Sequence, residues 1–244
     1  MVSKATLKYI KSLQLKKNRD KDNVFVLEGS KNLLELLDSD FEVIKLLCTK
    51  TFYDTNEAKL SKLLGVVSVT EQQIIESAGS FKTNNAGLAI VKMRNAAVPD
   101  NMREWMLALD RVQDPGNLGT IIRTADWFGV RHIICSPDTV DVYNSKVINA
   151  TMGSFARVQV HYGSLPKYFQ KLEMPVFGAL LEGKPLNEVE QPSAGILLMG
   201  NESKGISEEL RAHVHVPVSI PRVGGAESLN VAIATGILCA RFCL

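Results

Sequence analysis

Three short stretches of the chain gather Asn, Glu, Ser and Arg around Gly and Pro, directly after apolar runs. The first is RVQDPGNLGTIIRTADWFG, residues 111–129. Asp114, Pro115 and Gly116 spell a tight turn, and Asn117 stands where a helix N-cap belongs. Leu118, Ile121, Ile122 and Ala125 recur at helical spacing, so Arg123 falls beside the buried stripe. The second is LLMGNESKGIS, residues 197–207. An apolar strand runs into Gly200, which has no Cβ to keep a ligand from the backbone, and Asn201 and Glu202 add an amide and a carboxylate. The third is VSIPRVGGAESLNVAIATGILCAR, residues 218–241. Pro221, Gly224 and Gly225 shape a loop, Ser228 reads as the cap of the final helix, and Asn230 falls in its first turn, where unpaired N–H groups favour an anionic partner.

Turns of this kind need a sheet to hold them. Strand and helix alternate about six times after residue 105, which predicts a mostly parallel sheet with helices on both faces. Strands are expected at 106–112, 132–135, 156–161, 176–181, 196–199 and 215–220, and helices at 118–128, 145–155, 165–172, 207–213 and 228–242. In the last helix Leu229, Ala232, Ile233, Gly236, Ile237 and Ala240 form one apolar stripe, expected to face the core. In such sheets ligands bind beyond the carboxyl ends of the strands, which is where all three polar turns fall. Residues 1–98 read as a smaller α/β domain, with strands near 25–27, 43–48, 66–69 and 86–93, an amphipathic start marked by Leu7, Ile10, Leu13 and Leu15, and a helix at 55–64. A linker is expected at 99–104, followed by the larger domain at 105–244.

Composition excludes several classes. With 45% hydrophobic and 22% charged residues the chain is ordinary globular protein rather than disordered. It has no apolar run of membrane-spanning length and no signal-peptide core, which points to a cytoplasmic protein with reduced thiols at Cys48, Cys135, Cys239 and Cys243. It lacks a phosphate loop, a dinucleotide fingerprint and a nucleophile elbow. His213 and His215 could share a strand face, but no third ligand accompanies them, and no metal is expected. The net charge of +2 hides a basic start: Lys4, Lys8, Lys11, Lys16, Lys17, Arg19 and Lys21 face only Asp20 within the first 21 residues. Such an arm is either a solvated helix face or a handle for nucleic acid.

In order and position the three segments resemble the signature motifs of the SpoU (TrmH-like) RNA ribose 2′-O-methyltransferases of the SPOUT superfamily, over residues 106–244. The first half, through FVLEGSKNLLELL at 25–37, is similar to the small substrate-binding domain that precedes the catalytic domain in many members. The resemblance implies a carboxyl-terminal trefoil knot, a homodimer and S-adenosylmethionine as cofactor, bound by Leu180, Gly200, Asn201, Ile220 and Leu229. It implies Arg123 as the main catalytic residue, with Asn117, Glu202, Ser228 and Asn230 around it. A guanidinium stays protonated at any ordinary pH, so gripping an RNA phosphate and orienting its ribose suits Arg123 better than base catalysis; whether it also takes the proton is left open. Many members carry Met after the Ile-Pro of the third motif where this chain has Arg222, which bears on substrate contacts there: an added cation touches RNA or is merely solvated. The expected activity is methylation of a ribose 2′-hydroxyl, in ribosomal RNA ahead of transfer RNA, with Lys4, Lys8, Lys11, Lys16, Lys17, Arg19 and Arg123 on RNA phosphates. The competing expectations are a non-catalytic RNA-binding or ribosome-assembly factor on the same scaffold, and an α/β enzyme using another adenine cofactor.

Overall fold

The five residues of β1 (Val24–Glu28) are buried along their whole length, which a strand achieves only when its sheet is covered on both faces. In the computed structural model, which describes residues 2–63, 65–94, 97–98 and 102–244, the chain divides into Met1–Arg94 with Asp141–Ala156, and Asn95–Val140 with Arg157–Leu244. Residues 99–101 of the expected linker, and Leu64 of the expected helix at 55–64, lie outside the described residues.

In the first unit β1 pairs antiparallel with β4 (Gly87–Lys92), β4 antiparallel with β2 (Val43–Cys48), and β2 parallel with β3 (Val67–Val69). Val24 and Val26 join Ile10, Leu13, Leu47, Ile75 and Leu88 on one face. Phe25 and Leu27 join Leu33, Leu36, Leu46 and Val91 on the other. That second cluster is completed by Ile148 and Phe155 from much later in the chain. The helix expected at 145–155 therefore packs in this unit. It ends early, as Ser145–Thr151, because Met152 and Gly153 both take positive φ. Those two turns also push the strand expected at 156–161 forward to Gln159–Tyr162.

The amphipathic start is two helices, α1 (Lys4–Ser12), capped by Ser3, and α2 (Lys16–Asp22), ended by Asn23 in the left-handed region. Leu15 precedes α2 and is exposed, outside the stripe expected for it. Arg19, expected on RNA, is only 3% exposed. Its Nη1 donates to the Leu13 and Gln14 carbonyls and its Nη2 meets Asp141 Oδ2 at 2.6 Å. A guanidinium this enclosed holds the fold rather than a phosphate.

The second unit carries six parallel strands in the order β10-β8-β9-β5-β6-β7. These are β5 (Met106–Leu109), β6 (His132–Cys135), β7 (Gln159–Tyr162), β8 (Val176–Pro185), β9 (Ile196–Met199) and β10 (Val216–Ser219). The helix at Pro115–Trp127, here α3, buries the predicted stripe Leu118, Ile121, Ile122 and Ala125 completely. The last helix, here α4 (Val231–Phe242), keeps only Ala232 of its predicted stripe inside: it buries Val231, Ala232, Thr235, Leu238, Cys239 and Phe242 and leaves Ile233 and Ile237 exposed. The helix is apolar almost all round, so periodicity alone picks the wrong face. A Cβ added at Gly236 would just touch Thr124 Cγ2, and α3 and α4 lie side by side. His213 and His215 both precede β10 rather than sharing a strand face; His215 Nδ1 accepts the Val176 N–H. Cys48, Cys135 and Cys239 are buried free thiols, and burial pushes Cys48 up to about 11. Among the described residues no helix is long and apolar enough to cross a membrane.

Candidate functional site

Because β10, β8, β9 and β5 are neighbours, the turns that follow them lie along one edge of the parallel sheet. After β5, Asp114 is the N-cap of α3, its Oδ1 accepting the Asn117 N–H at 2.8 Å. Asn117 is not the cap, contrary to expectation, and its side chain is free for other work. Its Nδ2 donates to Glu202 Oε1 at 2.9 Å, and its Oδ1 accepts from Asn230 Nδ2 at 2.8 Å. Asn230 rather than Ser228 caps α4, its Oδ1 taking the Ala232 and Ile233 N–H groups. One residue from each of the three motifs thus joins a single hydrogen-bonded line, Glu202–Asn117–Asn230, open to solvent.

Asn201 is fully engaged inside its own turn. Nδ2 donates to the Arg111 carbonyl at 2.7 Å and to Glu202 Oε2 at 3.3 Å, Oδ1 accepts from Ser203 and Lys204, and its main chain bridges Gly205 in both directions. Each of its polar groups has a partner, so the side chain braces Glu202. Gly200 is required by the chain itself: a Cβ there would collide with the Gly205 and Ile206 backbone. Arg111, Asp110 and Ser207 also tie these turns together, and no residue-type signal marked them out.

The remaining cofactor candidates surround the ends of β8 and β10. The two strands pair at Pro217↔Gly178 and resume at Val218↔Lys184, so the intervening stretch of β8, with half-buried Leu180 and exposed Leu181, bulges from the pair. From Pro221 to Asn230 every residue is exposed. Among the described residues 221–229 make no main-chain to main-chain hydrogen bond; Arg222 Nη1 reaches the Ala226 carbonyl. Unpaired backbone N–H and C=O groups beside Leu180, Ile220 and Leu229 offer both hydrogen-bonding edges and apolar cover, the combination an adenosyl group needs. The residues present fit S-adenosylmethionine.

Arg123 does not join the Asn117 line. It is exposed, has no hydrogen bond or ion pair among the described residues, and lines a groove of about 430 Å³ with Thr120, Thr124, Trp127, Phe128 and Gly236. Ser228 sits in the exposed loop. In the first unit Lys4, Lys8 and Lys11 are exposed along α1, and of Lys16 and Lys17 the former pairs with Asp20.

The relatives agree with this architecture. Residues 104–240 match the model of the SpoU rRNA methylase family, and residues 4–86 that of the MRM3-like substrate binding domain. The chain belongs to the SpoU rRNA methylase family. This SpoU methylase is 32% identical, over 93% of its length and 92% of the relative's, to the 23S rRNA (guanosine(2553)-2′-O)-methyltransferase RlmP of Bacillus subtilis. It is 34% identical over 54% of its length, and 55% of the relative's, to the 23S rRNA (guanosine-2′-O-)-methyltransferase RlmB of Pseudomonas aeruginosa. Its fold superimposes with a TM-score of 0.89 and 30% identity on the AdoMet-bound rRNA methyltransferase of Sinorhizobium meliloti, covering 99% of this chain and 95% of that one. In the SpoU methylase the three polar turns read from sequence are therefore one constellation, with Arg123 set apart from it on α3.

Proposed function

We propose that this SpoU methylase transfers the methyl group of S-adenosylmethionine to a ribose 2′-hydroxyl of ribosomal RNA. The observation that carries the reading is the line Glu202–Asn117–Asn230, which draws one residue from each motif to the edge where the loops of β8, β9 and β10 emerge. When bound, S-adenosylmethionine supplies a methyl group already activated by its sulfonium. Leu180, Gly200, Ile220 and Leu229 hold it, largely through main-chain groups, and Asn201 fixes the turn beneath Glu202. Asn117 and Asn230 present amides to the ribose, Glu202 locks Asn117, and Ser228 lies in the loop that closes over the reacting sugar. Arg123 grips the adjoining phosphate and orients the 2′-hydroxyl.

The same surface supports a homodimer. Trp127 is 84% exposed and Ile233 57%, and with Ile237 and Gly236 they make an apolar face on α3 and α4 that a second copy would cover. Arg123 lies on that face, so association would enclose it. The chain leaves β9 and passes β8 to reach the sheet edge as β10, a path that supports the trefoil knot implied by the family. We assign substrate binding to residues 1–98, linkage to 99–104 and catalysis to 105–244, with Asp141–Ala156 lending structure to the first unit. Lys4, Lys8, Lys11, Lys16 and Lys17 engage RNA phosphates, and the enzyme works in the cytoplasm, where ribosomal RNA is found.

Incubating the purified chain with tritiated S-adenosylmethionine and ribosomal or transfer RNA, then mapping 2′-O-methyl positions, tests the proposal. Label at one ribose of ribosomal RNA is expected. Label only in transfer RNA would move the substrate, and label in neither would sink the activity.

A further inference from the structure

Arg111 takes φ +56, in the left-handed region that a side chain with a Cβ rarely enters. Such a conformation persists only where its surroundings over-determine it, and here both main-chain groups of the residue are held and its guanidinium is tied to Asp110. Its N–H donates to Ser136 Oγ at 2.8 Å and its carbonyl accepts Asn201 Nδ2 at 2.7 Å. Its Nε donates to Asp110 Oδ1 at 2.9 Å. Asp110 is 2% exposed; its N–H continues the pairing to the Met199 carbonyl, and its Oδ2 takes the Ser207 N–H at 2.6 Å. The Asp110 main chain thus joins the ends of β5 and β9, its buried carboxylate ties Arg111 to Ser207 beyond the β9 turn, and the inverted residue next to it aims a carbonyl at Asn201.

We propose that Arg111 is a positioning residue, and that its inverted main chain, rather than its guanidinium, sets Glu202. The route is short. Asn201 spends one Nδ2 hydrogen on the Arg111 carbonyl and the other on Glu202 Oε2, while Glu202 Oε1 holds Asn117. Restoring a negative φ at 111 swings the following peptide plane, takes the carbonyl from Asn201 and frees Glu202 to turn from Asn117. The guanidinium serves Asp110, and so the anchoring of the turn. The inference rests on the methyltransferase reading for its kinetic consequence only.

Three substitutions separate the two roles, because all remove the guanidinium and differ in backbone preference. Arg111→Gly and Arg111→Asn tolerate the left-handed region; Arg111→Val resists it. With tritiated S-adenosylmethionine and ribosomal RNA transcript, below the temperature at which any variant unfolds, kcat of Arg111→Val should be about tenfold or more below that of Arg111→Gly, with KM for the cofactor within about twofold. Arg111→Asn should track Arg111→Gly. Equal kcat for the Val and Gly variants, or equal losses in all three, would overturn the inference. Should Arg111→Val not fold, Asn201→Asp keeps the acceptor for Ser203 and Lys204 and deletes both donors, to Arg111 and to Glu202; about tenfold loss of kcat is expected, and unchanged kcat would overturn the inference. Crystal structures judge it apart from activity: the Asn117–Glu202 bond should open in Arg111→Val and survive in Arg111→Gly. A wild type without turnover would end the methyltransferase reading, while those structures would still decide the role of Arg111.

Discussion

Arg123 is the one strong cation of the first motif that spends no hydrogen bond on the protein among the described residues. A guanidinium left this free, on a rigid helix that buries its opposite stripe completely, is prepared to bind an anion it meets only in the complex. Arg123→Ala should lower methyl transfer at least about a hundredfold while S-adenosylmethionine affinity, read by calorimetry, stays within about threefold. Unchanged turnover would remove Arg123 from the site. Asn117 is more exacting, because it donates to a carboxylate and accepts from an amide at once. Asn117→Asp keeps the shape but sets a second carboxylate against Glu202, and it should cost turnover about tenfold or more at neutral pH. A variant as active as the wild type would show that the amide's donor side is dispensable.

At the scale of elements, two buried polar pairs hold the units. Arg19 reaches from α2 to Asp141, and removing one member leaves the other enclosed without its partner. Arg19→Ala should destabilise the first unit by about 3 to 5 kcal/mol, seen as an earlier urea transition. A shift under about 1 kcal/mol would mean that water readily replaces the guanidinium. In the second unit His132 Nδ1 and His161 Nε2 lie 3.1 Å apart, buried on adjacent strands β6 and β7. Burial first, then His161 and Arg131, hold His132 below its ordinary 6.5, with Glu104 opposing them. The unfolded chain therefore takes up a proton near pH 6.5 that the folded chain refuses. Stability from this group is complete above that value and drains away as the pH falls through the lower, folded value. The melting temperature should drop as the pH falls below about 6.5, and His132→Asn should flatten that drop. Parallel melting curves for the two proteins would rule the pair out as the cause.

For the whole molecule, association and RNA binding are the tests. Ile233→Asp places a charge on the exposed apolar face of α4 without touching its buried side, and it should convert a dimer to a monomer in analytical ultracentrifugation. A dimer that survives both Ile233→Asp and Trp127→Lys would put the contact elsewhere. Replacing Lys4, Lys8 and Lys11 together by Ala should weaken RNA binding and reduce the slope of log affinity against log salt by about 2 to 3. An unchanged slope would assign those lysines to solvent.

The residues that meet at the site were legible as types and spacings: Asn117, Glu202 and Asn230 each stand in a polar turn that directly follows an apolar strand. The parallel sheet, its six strands and the buried stripe of α3 were equally legible, because local periodicity reports which groups a single strand or helix must hide. Tertiary structure decided what periodicity leaves degenerate. In α4 both candidate faces are apolar, and packing on the sheet chose the one with Thr235 and Phe242, turning Ile233 outward. Arg19 looks like any other lysine or arginine of a basic arm until Asp141, far along the chain, is brought beside it. The left-handed backbone at Arg111 has no signature in an arginine, since only Ser136 after β6, Asn201 after β9 and the adjacent Asp110 together hold it there.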